Sequence, residues 1–227
     1  MSKKLSVVSA LLVLSLAHAE PSHLIIARHA EKGSRYALCD MGTERSQALV
    51  HQYLGRGAAA SLFPRGQAPD AMMAMTMHTI DTITPAAESW NLPVIAYAVM
   101  PTDASAKEVE NARTQQAARD VLTAPAYDTK TVVMVWEHKR IANAKLEKKS
   151  PGVTLRQLLH LDQVKGVPED WPDQTYDYFW IIDFARGNPV PVSFHMLRQE
   201  FTAPFSDLPS NAWGEPDAAH VKAGCKD

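Results

Sequence analysis

Arg28 and His29 stand side by side in the stretch HLIIARHAEK, His23 to Lys32. A guanidinium next to an imidazole suits attack on, or grip of, a phosphoryl group. Arginine binds two phosphate oxygens with its planar fork, and a neutral histidine is a competent nucleophile. Arg-His pairs also occur with no function. Here, however, the pair closes an apolar, β-branched run, Leu24 to Ala27, and buried strands seldom end in so many charges without a partner. A second segment ends in the same way. TVVMVW, Thr131 to Trp136, is followed at once by Glu137, His138, Lys139 and Arg140. If the two strands lie parallel and adjacent, both histidines face one pocket at the carboxyl edge of a sheet, where open α/β sheets place their ligands.

The elements that must position these residues follow from periodicity. Ser22 to Ala27 reads as a strand buried on both faces. A helix follows from Asp40, capped by Asp40 or Thr43, and runs to Gly55. Gly55 to Pro69 is a flexible connection. DAMMAMTM, Asp70 to Met77, reads as a second strand whose methionines are core filler. His78 to Trp90 reads as a helix with Pro85 early enough to be tolerated, and Leu92 to Ala98 as a short edge strand. Ser105 to Leu122 is a polar helix whose charges form a solvated face. Helices are expected from Ile141 to about Lys148 and from Leu155 to Leu161, and YDYFWIIDF, Tyr176 to Phe184, as the final strand. The tail after Pro189 is proline-rich and without pattern. There are no internal repeats and no interdomain linker.

The chain has 227 residues, 46% hydrophobic and 21% charged, enough for one globular domain with a real core. A formal charge of -2 gives no reason to expect nucleic acid or an acidic membrane as a partner. Lys3 and Lys4, the apolar run Leu5 to Leu16 and Ala17-His18-Ala19 together read as a secretory signal peptide over residues 1–19, cleaved before Glu20. The run is too short to span a bilayer comfortably, and no later segment is long and apolar enough to do so. The reading is therefore a periplasmic or secreted protein of residues 20–227, with no stable membrane insertion after cleavage. In an oxidising compartment Cys39 and Cys225 become a candidate disulfide, although sequence does not show whether they are close enough to bond. Two cysteines so far apart do not make a thiolate zinc site of the usual spacing.

At this point the chain resembles the histidine phosphatase superfamily, the phosphoglycerate-mutase-like group. RHAE at Arg28 to Glu31 resembles that family's R-H-G/A signature. LCDMGTERSQAL resembles its L-S/T-x-x-G-x-x-x-A helix, and PDAMMAMTMHTIDTITPAAESWNLPV its P-D-x-I-x-x-S-x-x-x-R-T-x-Q-T-x-x-P-L-A segment. VVMVWEHKRI resembles the strand that delivers the second histidine, and EDWPDQTYDYFWII the W-P-x-x-x-(F/Y)-D-x-x-W segment of secreted bacterial members. The resemblance covers residues 22 to 184. It implies an α/β fold, a three-layer α/β/α sandwich with a mostly parallel central sheet.

The resemblance also implies roles. His29 resembles the nucleophile that becomes a phosphohistidine, Arg28 the arginine that clamps the phosphate, and His138 the second histidine, which stabilises transition-state charge. Positive side chains do this work, so no metal and no other cofactor is implied. Arg35 is near enough to be another phosphate contact, or else a solvated arginine. Glu137 is the first candidate for the general acid and Glu31 the second; either could instead hold a neighbouring arginine. Three departures stand out. His78 aligns with the family's second pocket arginine, Asp81 with its glutamine, and Lys139 with the glycine after the second histidine. Histidine titrates near pH ~6.5, so a pocket relying on His78 should grip phosphate weakly at neutral pH. Lys139 could replace the lost charge or crowd the pocket. The expected function is an exported phosphatase acting on a small phosphomonoester. The alternative is a degenerate member that holds an anionic ligand, or a protein, without turnover. A zinc site on His29, His78 and His138 is a third arrangement, opposed by the charges of Arg28 and Lys139.

Overall fold

The computed structural model describes residues 19–99, 106–215 and 224–226. The expected leader therefore lies outside the described residues, apart from Ala19. The elements in chain order are β1 His23–Arg28, α1 Asp40–Leu49, β2 Ala71–Ala74, α2 Met77–Trp90, β3 Val94–Ala96, α3 Ala106–Thr123, β4 Thr131–Trp136, α4 His138–Ile141, α5 Ala144–Lys149, α6 Leu155–Leu158, β5 Tyr178–Asp183 and β6 Ser193–Arg198. No described helix is long and apolar enough to cross a membrane.

The six strands form one mixed, mostly parallel sheet in the order β3-β2-β4-β1-β5-β6. The four strands from β3 to β1 run in parallel, and β5 alone is reversed between β1 and β6. Alternate residues feed two cores. Leu24, Ile26, Val132, Met134, Trp136 and Trp180 pack on one face with Ala117, Val121 and Leu155 from α3 and α6. Ile25, Ala27, Val133, Val135 and Phe179 pack on the other with Leu49, Ile83 and Ala86 from α1 and α2. Burial on both faces is why Leu24 to Ala27 of β1 and Val132 to Trp136 of β4 read as unbroken apolar runs.

Several boundaries differ from the sequence reading. The Asp70–Met77 strand stops at Ala74 because Thr76 and Thr79 cap α2 reciprocally: each side-chain oxygen accepts from the other's backbone N–H. Pro85 therefore falls in the helix interior, not its first turn. It cannot donate to the Asp81 carbonyl, which accepts from Ser46 Oγ of α1 at 3.2 Å instead. The expected Ile141–Lys148 helix is two pieces, α4 and α5, parted where Asn143 caps α5 by accepting from Leu146 N at 2.7 Å. The patternless tail holds β6. It is an edge strand with no fully buried residue, so it lacks the alternation that would reveal it.

Two joints fix the loop that leaves β1. Cys39 and Cys225 are bonded, with Cα atoms 5.5 Å apart, and Lys226 N donates to the Lys32 carbonyl at 2.6 Å. Gly42 of α1 presses on the Glu31 backbone, where an added Cβ would stand 2.1 Å from the carbonyl oxygen. Backbone on both sides cannot yield as a side-chain tip can. Gly42→Ala is expected to lower stability by about 2 kcal/mol, read as a lower urea midpoint at unchanged m-value. An unchanged midpoint would show that α1 is free to lift away.

Candidate active site

Parallel register delivers the two histidines together. Ala27 pairs with Val135 and Arg28 with Trp136, so His29 and Glu137 leave the sheet as neighbours. His29 N donates to the Trp136 carbonyl at 3.2 Å, and Ala30 N to Thr82 Oγ1 at 2.9 Å, which fixes the turn. The His29 ring is fully buried. The rings of His78, His138 and Tyr176 surround it at centroid distances of 5.8, 6.0 and 5.9 Å.

The His29 Nδ1 lies 2.7 Å from the Ala30 carbonyl oxygen, so this nitrogen carries the proton and Nε2 keeps the lone pair. Burial pushes the His29 pKa down to about 3; Glu137 opposes the shift, and Arg28 and Lys32 add to it. The ring is therefore neutral throughout the physiological range. Burial also lowers His78 and His138. His78 Nε2 sits 2.9 Å from the Ser34 carbonyl, and His138 Nε2 2.9 Å from Asp173 Oδ1.

Glu137 lies among the imidazoles. Its Oε2 is 3.4 Å from His29 Nε2 and 3.7 Å from Lys32 Nζ, and its Oε1 is 2.7 Å from His138 Nδ1. Burial alone would push this carboxyl up, but His29 and His138 outweigh it and hold Glu137 well below the usual range. It is a carboxylate at neutral pH, an unfavourable state for a general acid. The other sequence candidate, Glu31, is fully buried and gripped by Arg45, whose Nε and Nη2 donate to it at 2.7 to 3.0 Å. Its partner is structural.

Arg28 is buried at the site, but its Nη1 donates to the carbonyls of Pro172, Asp173 and Thr175, and its guanidinium carbon lies 3.7 Å above the Tyr176 ring. It thus ties the 172–176 segment to the pocket. Arg35 is exposed and lines a cleft of about 280 Å³ with Lys32, His78, Glu110, Glu137 and Lys226. An adjoining cavity of about 580 Å³ shares Lys32, Arg35, Glu110 and Glu137 and adds Lys139, which is half-exposed and lies 3.4 Å from Asp173.

Four contributors escaped the sequence reading. Lys32 carries no signal of its own in the sequence beside the Arg28-His29 pair. Lys226 reaches the cleft through the Cys39–Cys225 bond and its own backbone bond to Lys32. Asp173 orients His138 from a loop with no periodicity. Glu110 belongs to the helix assigned a solvated face, yet it lines the cleft, 3.0 Å from Arg140 Nη2. Burial pushes its carboxyl up, with Arg140 opposing. The site can thus supply a neutral nucleophilic nitrogen, flanking imidazoles, several cations and one carboxyl whose pKa burial raises. No protein-family model matches the chain, and no curated protein matches it.

Proposed function

We propose that this chain is an exported phosphomonoesterase of the histidine phosphatase type, on a phosphoglycerate-mutase-like fold. One observation carries the reading. The Nδ1–H of buried His29 is held by the Ala30 carbonyl, so Nε2 keeps its lone pair as a neutral nucleophile, beside Glu137 and with the rings of His78 and His138 around it. In the first step Nε2 bonds to phosphorus as the ester P–O bond breaks. The leaving oxygen takes a proton, for which Glu110 is better placed electrostatically than Glu137. Water then breaks the N–P bond, releasing phosphate and restoring the imidazole. Lys32, Arg35, Lys139 and Lys226 draw a small anionic substrate to the cleft. The leader-like N-terminus and the disulfide support a periplasmic or secreted location.

A second reading, anion binding without turnover, is favoured by Glu137. Its carboxylate stands 3.4 Å from Nε2, where an incoming phosphate must displace it. Hydrolysis of an aryl phosphate between about pH 4 and 8, with orthovanadate calorimetry alongside, separates the two. Turnover supports the enzyme; vanadate binding without turnover supports the binder.

The pH profile has a defined sign. His78 must be protonated to act as a cation, and burial sets its pKa below 6.5, whereas His29 stays neutral down to about 3. Activity should therefore rise as pH falls below 6.5, by about tenfold per unit at most. His78→Arg should raise the neutral-pH rate toward the acid rate. An unchanged profile in that variant would remove His78 from the phosphate.

A further inference from the structure

His29 and His138 hold their rings in the manner of metal ligands. A ligating imidazole presents one nitrogen to the ion and donates the other N–H to a carbonyl or carboxylate, which fixes its tautomer and orientation. His29 uses Nδ1 on the Ala30 carbonyl at 2.7 Å, and His138 uses Nε2 on Asp173 Oδ1 at 2.9 Å. The nitrogens that remain are buried and both face Glu137: His29 Nε2 stands 3.4 Å from Oε2 and His138 Nδ1 2.7 Å from Oε1.

What faces both nitrogens is the Glu137 carboxylate, which is an acceptor only. The His29 lone pair, the carboxylate and His138 Nδ1, which gives up the proton it shares with Glu137 when an ion binds, thus converge in a buried space. One donor atom from each of the three residues lies within 4.8 Å of the other two. Zinc bonds nitrogen and oxygen ligands at about 2.0–2.2 Å in a tetrahedron, so its donor atoms stand roughly 3.3 Å apart. The 3.4 Å between His29 Nε2 and Glu137 Oε2 already meets that spacing. The remaining separations, none above 4.8 Å, close by movement of the two imidazoles as well as of Glu137.

We propose that His29 Nε2, His138 Nδ1 and the Glu137 carboxylate bind one Zn²⁺, leaving the fourth position to a non-protein ligand. His78 is outside this set, because only His29, Glu137 and His138 bring donor atoms within 4.8 Å of one another among the described residues. The opposing charges are Arg28, Lys32 and Lys139. Lys32 and Lys139 are partly exposed and can turn to solvent; Arg28 is fixed by its carbonyls. Glu137 and Asp173 offset the fixed charge. A consequence follows that rests on the phosphatase reading: Nε2 of His29 cannot hold zinc and attack phosphorus together, so zinc would inhibit turnover.

The test is titration of the chelator-treated full chain with zinc chloride, with cobalt(II) absorption as a second probe. The expected result is one Zn²⁺ per chain with a dissociation constant of micromolar or below, and cobalt bands of a four- or five-coordinate ion. Glu137→Gln and His29→Gln should each weaken zinc by at least about thirtyfold. The exposed-site control His51→Gln should leave affinity within about twofold, and Lys32→Met should tighten it severalfold. Should His29→Gln fail to fold, the wild-type cobalt spectrum and the Glu137 and Lys32 variants still decide. No uptake by the wild type, or uptake indifferent to Glu137→Gln, overturns the site. So does loss in His78→Gln with retention in Glu137→Gln, which would move the ion to three imidazoles. Zinc binding is read without substrate and turnover on the chelator-treated chain without zinc, so zinc uptake with no metal-free turnover refutes only the phosphatase reading, and metal-free turnover with no zinc uptake refutes only this one.

Discussion

His29→Ala is expected to lower aryl phosphate hydrolysis by at least about three orders of magnitude, because it removes the atom that bonds to phosphorus. No neighbour can take over. His78 offers its Nε2 to the Ser34 carbonyl, and His138 lies between the Glu137 and Asp173 carboxylates. The wild type, quenched during turnover, should carry one phosphoryl group on the peptide containing His29, stable to base and lost in acid. The alanine variant should carry none. Thermal unfolding of the variant must be measured in parallel, since the ring is fully buried and its loss leaves a cavity. Equal rates for wild type and variant would end the assignment, whatever the variant's stability.

The second large effect is acid destabilisation. His29, His78 and His138 all have folded pKa values lowered by burial, so the unfolded chain binds more protons than the folded one below about pH 6.5. Their contribution is fully present above 6.5 and is lost as pH falls through that range. For His29 the interval runs from 6.5 to about 3. At about 1.4 kcal/mol per unit this is on the order of 2 kcal/mol lost by pH 5 and 4 kcal/mol by pH 3. Glu137, Asp173 and Asp183, held below the usual carboxylate range, lose stability with the same sign at lower pH. Glu110 and Asp81 are pushed up and work the other way, but neither is fully buried. Urea midpoints at pH 7.5, 6 and 5 measure the sum. The midpoint should fall steadily, and His29→Gln should flatten the fall. A constant midpoint would mean that these rings are open to water.

Strand ends explain what was legible. Leu24 to Ala27 and Val132 to Trp136 are apolar without interruption, and the polar residues follow each with no spacer. Parallel pairing then had to bring His29 and His138 together. The rest was hidden because it depends on directions that periodicity does not encode. Glu110 faces the cleft from a helix with little apolar bias. Arg28 turns toward three backbone carbonyls, an orientation set by where the 172–175 segment runs. The place of Glu137 beside His138 suggests an acid, whereas its surroundings keep it ionised. The β6 strand owes its existence to its neighbour β5 more than to its own pattern.

The sulfur–sulfur bond between Cys39 and Cys225 spans 186 positions and turns most of the polypeptide into a closed ring. A protease that cuts one surface loop within that ring would open it without releasing a fragment. Nicked molecules would run as a single species until thiol is added, and only then part into two.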